Sequence, residues 1–160
     1  MEQQKKLSLT LELIFWVVTA IIALGVLRPI SVNFTDFPFF WHNILIIVVF
    51  ITYTRYTFLW RHTLFPKSYA FRFLILLGTI PLVFFMIQNM NVFQSYLDDY
   101  GYDAFMDLLE NPLSNDRKEG LLQYIRSEFV FFSIGAISAA IVLPVRMIIS
   151  IWRTNNNKGV

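Results

Sequence analysis

Cysteine is absent from the chain. That single absence removes disulfides, thiol redox chemistry and thiolate metal sites together. It says nothing about compartment, because a bundle held by lipid and packing needs no covalent staples. Charge is scarce as well. Charged residues make up 15% of the sequence, against about 25% in a typical soluble domain. Histidine occurs only at His42 and His62. Twenty residues apart, they stand about 30 Å from each other along a helix, too far to share a metal or a haem within one chain. Neither a nucleophile–base pair nor a phosphate-cradling glycine loop is visible. "DDYGYD" departs from the calcium-loop spacing. The sequence therefore predicts no enzyme, no cofactor and no nucleic-acid partner.

In place of charge the chain has phenylalanine, isoleucine and leucine in long runs. Its 160 residues are 56% hydrophobic and 18% aromatic. Uncharged runs cover residues 13–27, 37–54, 73–97 and 129–145. Each extends to the ~20 residues that cross a bilayer core once a flanking residue or one charge is included. The fold expected is all-α: one membrane domain over 1–160, an integral membrane bundle of four transmembrane helices at approximately 8–27, 38–58, 73–92 and 128–148. A small extracytoplasmic helical segment at 94–127 lies between spans three and four. Lys5 and Lys6 before the first run look like the start of a signal peptide. The run is too long for a usual h-region and Glu12 interrupts its start, so a retained helix is expected.

Basic residues near membrane ends prefer the cytoplasmic side. With both termini on one face, that face carries Lys5, Lys6, Arg55, Arg61, Lys67, Arg72, Arg146, Arg153 and Lys158, nine against the four on the other face, Arg28, Arg117, Lys118 and Arg126. Nine of the eleven acids fall on the second face. Both termini are expected in the cytoplasm. Trp41 suits the outer interface and Trp60 and Trp152 the inner one, while Trp16 lies a turn too deep. The usage of Phe, Ile and Asn points to a bacterial inner membrane.

Of the connections, 28–38 is a short outer loop with a proline near each end, and 61–69 is a short basic inner one. In "YGYDAFMDLLE" Tyr102, Phe105 and Leu109 fall on one helical stripe. "DRKE" reads as a capping box with Asp116 at the N-cap and Glu119 three residues on. Asp99, Asp103, Asp107 and Glu110 share one face of such a helix. They form either a solvated acidic face or one compensated by a divalent cation, by a basic partner protein, or by Arg117, Lys118 and Arg126 folding back. Pro81 and Pro144 should kink the third and fourth spans. In "SIGAISAA", Gly135 and Ala139 are four apart, as are Ala136 and Ala140. That spacing of small residues lets helices approach closely, by default within the chain.

Two charges lie inside apolar runs. Glu128 marks the outer edge of the fourth span, which puts Arg146 at the inner boundary, within reach of the headgroups. Counting back from Leu27 puts Glu12 about 6 Å inside the first span. Arg146, Arg55 and Arg72 lie at similar depth, and Arg146 is the first partner to consider. The alternative is that the span begins later and Glu12 reaches water unaided. The bilayer is the partner implied throughout, joined by another membrane protein or a second copy. The expected function is a non-enzymatic subunit or scaffold of a membrane complex; a small transporter or channel component is the alternative.

The topology has a direct test. Single cysteines placed at Ser114 and at Asn156 should react with a membrane-impermeant reagent from opposite sides of the membrane. Labelling of both from the cytoplasmic side contradicts it.

Overall fold

The computed structural model describes residues 2–59 and 69–156. Within them lie four helices: α1 (Glu2–Asn33), α2 (Phe40–Phe58), α3 (Tyr69–Tyr100) and α4 (Asn115–Asn156). The basic connection before α3, with Trp60 and His62, lies outside the described residues. Three helices, α1, α3 and α4, are long and apolar enough to cross a membrane. This fits an integral membrane protein. The helices run up and down between a terminal end, which carries the start of α1 and the end of α4, and a cap end, which carries residues 101–114. α4 is central: it packs most extensively on α2, then on α3, and also touches α1.

Leu27 and Ile30 of α1, Ile46 and Ile47 of α2, Met86 and Phe93 of α3, and Phe129, Ala136 and Ala140 of α4 fill the core. The small-residue stretch is part of that packing. Ala136 and Ala140 are fully buried, whereas Gly135 and Ala139 are half-buried. A Cβ on Gly135 would lie 2.7 Å from the Phe50 ring of α2. Gly135 is therefore what lets α2 and α4 come this close.

At the cap end, aromatic rings meet. Phe93 and Phe129 stack with centroids 4.0 Å apart, and Phe39 stands edge-on to Phe93 at 5.2 Å. Phe105 enters from the connection, 4.8 Å from Phe37 and 4.7 Å from Tyr96.

The connection differs from the expected helix. It holds two short 3-10 turns, Gly101–Asp103 and Met106–Leu108. Gly101 ends α3 at φ 55 and Phe105 sits at φ 66, both left-handed, so no helical stripe can run through them. A left-handed backbone at a residue with a Cβ costs about 1–2 kcal/mol. Phe105 is 2% exposed, and burying a phenylalanine returns about 1.5–3 kcal/mol. Beyond it, Leu109 bridges to Phe34, and the Glu110 N–H donates to the Asn33 carbonyl at 3.0 Å. That bond satisfies a carbonyl which the end of α1 leaves free.

Helix limits shift in part. α3 reaches past its expected span end, while α4 runs from the capping region through Leu121, Leu122 and Ile125 straight into the fourth apolar run, so the 94–127 segment is mostly helix continuous with the two. α4 starts earlier than the capping box implies. The N–H groups of Arg117 and Lys118 donate to the Ser114 carbonyl, which puts Asp116 inside the first turn. At the other loop, α1 continues through Pro29. Proline there removes a donor from the ladder. Two side-chain bonds fasten this end of α1: Tyr124 Oη donates to the Val26 carbonyl and Asn33 Nδ2 to the Pro29 carbonyl, each at 2.7 Å.

Gly135→Val should push α4 off Phe50 and destabilise the bundle by about 1–3 kcal/mol, read as a lower melting temperature in detergent. Adding Phe50→Ala should recover part of the loss. An unchanged melting temperature for Gly135→Val contradicts the close approach.

Candidate functional site

α2 is the exception among the helices. Its middle, Ile44 to Ile51, is apolar, but His42 and Asn43 lie near the cap end and Tyr53, Arg55, Tyr56 and Thr57 near the terminal end. Asn43, Arg55 and Thr57 are nevertheless buried. A buried polar group needs a partner, and a buried charge needs a counter-charge. Each of the other three helices supplies one to α2.

α1 supplies Glu12. Arg55 Nη2 lies 2.6 Å from Glu12 Oε2, with side chains 7% and 6% exposed. The guanidinium also stands 4.3 Å from the centroid of the Phe15 ring, and the Tyr56 ring lies at 5.5 Å. Phe15 is three residues beyond Glu12, so one face of α1 offers both the carboxylate and the aromatic ring. Such cation–π contacts strengthen when desolvated.

Glu12 thus pairs with Arg55, and the first choice from the sequence, Arg146, is corrected. Arg146 is exposed. Leu143 and Met147 occupy the inward stripe of α4 at that level, both fully buried, which turns Arg146 outward. Arg72 of α3 is half-buried.

α3 supplies Thr79. Thr79 Oγ1 donates to the Ile75 carbonyl at 2.6 Å, which uses its only proton. Tyr53 Oη, 3.2 Å away, must therefore donate to Thr79.

α4 supplies Glu128. Asn43 Nδ2 donates to Glu128 Oε2 at 2.7 Å. Asn43 is 0% and Glu128 7% exposed. The sequence reading took Glu128 as a boundary charge and passed over Asn43. The missed signal was periodicity: Asn43 lies three and four residues before Ile46 and Ile47, on their inward face. His42 is half-buried, and its ring stacks on Phe85 with centroids 6.0 Å apart.

The acidic residues of the cap are placed differently from the sequence reading. Asp99, Asp103, Asp107 and Glu110 are all exposed. They do not share one helix face. Asp99 ends α3, Asp103 and Asp107 lie on separate 3-10 turns, and Glu110 follows the bridge to Phe34. Gly101 and Phe105 break the helix that would have aligned them. Among the described residues, no group of three or more histidines and carboxylates is arranged to hold a metal. Open clefts at this end are lined by Asp98, Leu122 and Arg126, and by Asp103, Lys118 and Glu119.

No known protein family, curated protein or solved structure matches the chain. What the geometry offers chemically is mutual neutralisation and anchoring of helices.

Breaking a buried ion pair on one side strands the other charge, at about 3–5 kcal/mol. Glu12→Leu and Arg55→Leu should each lower the melting temperature in detergent, and the double variant should regain much of the loss. Arg146→Leu should stay within about 0.5 kcal/mol of the parent. A neutral Glu12→Leu contradicts the pair.

Proposed function

We propose that the chain is a four-span membrane protein that serves as a non-enzymatic subunit or scaffold of a membrane complex, in a bacterial inner membrane. α2 is the fourth span. Its 19 residues measure about 28 Å at 1.5 Å per residue, close to the hydrocarbon thickness. Three of its polar residues, Arg55, Tyr53 and Asn43, become compatible with lipid because Glu12, Thr79 and Glu128 meet them. The nine-to-four bias in basic residues orients both termini to the cytoplasm and residues 101–114 to the outside.

The observation that carries the reading is how the interior is used. Polar side chains of α2 engage side chains of the neighbouring helices, and apolar residues fill the levels between them. A transport path needs polar groups that face a cavity. Contact with a partner needs an exposed, chemically distinct surface, and the acidic residues of the cap supply one. A basic extracytoplasmic segment of another membrane protein fits that chemistry.

The test is purification from native membranes in mild detergent, comparing the parent with a variant in which Asp99, Asp103, Asp107 and Glu110 are all Asn. A protein retained by the parent and lost by the variant, with the variant still folded, supports the reading. Ion or solute flux through the purified chain in proteoliposomes overturns it in favour of a transporter.

A further inference from the structure

Glu128 presents a charge problem that Glu12 does not. Glu12 meets a guanidinium, whereas the side chain reaching Glu128 is a neutral amide. The one bond between Asn43 and Glu128 uses Nδ2 and Oε2. It leaves Glu128 Oε1 and Asn43 Oδ1 both buried without a hydrogen-bond partner. In the ionised form both orphaned atoms are pure acceptors, so neither can satisfy the other. A buried carboxylate with no counter-charge and two unpaired acceptors beside it is strongly disfavoured.

The surroundings do not relieve it. On α2 the neighbour is His42, stacked on Phe85 with its own Nδ1 buried and unpartnered. On α4, Tyr124 commits its hydroxyl to Val26, and Arg126 is exposed. α3 presents Phe93, stacked on Phe129, while Tyr96 stacks on Phe105 and Asp98 and Asp99 are exposed. Arg28 of α1 and Asp36 of the connection are exposed, as is Asp103.

We propose that Glu128 and Asn43 form a buried proton-binding site, with the proton on Glu128 Oε1 donated to Asn43 Oδ1 while Oε2 accepts from Nδ2. One proton then removes the charge and satisfies both orphaned oxygens. The acid and the amide become joined by two parallel bonds, and α2 is fastened to α4 at the cap end. A metal ion suits the site poorly. Hard cations take about six oxygens, and this pair leaves two unpaired, Oε1 and Oδ1. The folded state retains a proton that the unfolded chain releases in neutral water, so stability falls as pH rises.

The experiment is infrared spectroscopy of the full chain in mild detergent at neutral pH, with melting temperature followed from acid pH, where the unfolded chain also holds the proton, upward. The parent should show the carbonyl stretch of a protonated carboxylic acid. Glu128→Gln should lack that band, melt at the same temperature or higher at neutral pH, and lose the part of the fall with rising pH that this proton causes, because its amide donates to Oδ1 without a titrating proton. Asn43→Leu removes the acceptor and should shift the band, which keeps the proposal testable if the glutamine variant does not fold. A parent without the band overturns the proposal, as does a band that survives Glu128→Gln. Sodium, potassium or calcium raising the melting temperature of the parent but not of Glu128→Gln, at constant ionic strength, makes the site an ion site and also overturns it.

Discussion

The structure depends on reconciling α2 with an apolar surrounding. Several of its polar residues are buried or half-buried, and each of its neighbours answers one: Glu12 answers Arg55, Thr79 answers Tyr53, and Glu128 answers Asn43. Apolar packing between membrane helices has little orientational preference, because lipid tails are as apolar as leucine. The polar contacts are what fix rotation and depth. A helix turned by a quarter about its axis would lose its partner, and its charge or amide would face hydrocarbon. Gly135 acts alongside these contacts by permitting the approach of Phe50.

The two ends of α2 use different physics. At the terminal end the contact is ionic and sits under aromatic rings, with Phe15 and Tyr56 close to the guanidinium. At the cap end it is an acid and an amide, within a core rich in phenylalanine. Salt screens a buried ion pair weakly, whereas an acid–amide pair responds to proton concentration. The cap end therefore answers to pH while the terminal end is little affected by salt, although both lie on one helix.

How much the sequence disclosed follows from the range of each interaction. Long apolar runs are local, so the helices of the three apolar segments were legible with their approximate centres. That Glu12 falls within the first apolar helix was legible as well, since it needs only a count along the chain. Which arginine meets it depends on the rotation of α2 and α4, and the inward stripe through Leu143 and Met147 that turns Arg146 away is a tertiary fact. Asn43 was legible in principle by its spacing from Ile46 and Ile47, but its partner is 85 residues away. The cap misled for a further reason. The stripe of Tyr102, Phe105 and Leu109 satisfies helical spacing, and nothing local reveals that burial of Phe105 outweighs its backbone preference.

Phe105 occupies a position with two incompatible demands. Its backbone, at φ 66, asks for glycine, while its side chain, 2% exposed among the rings of Phe34, Phe37, Phe39 and Tyr96, asks for a large aromatic residue. No coded amino acid meets both. Glycine would relax the chain and empty the aromatic pocket; leucine would half-fill the pocket and keep the strain. A substitution at this residue therefore carries a cost whichever demand it meets, in the backbone or in the aromatic pocket.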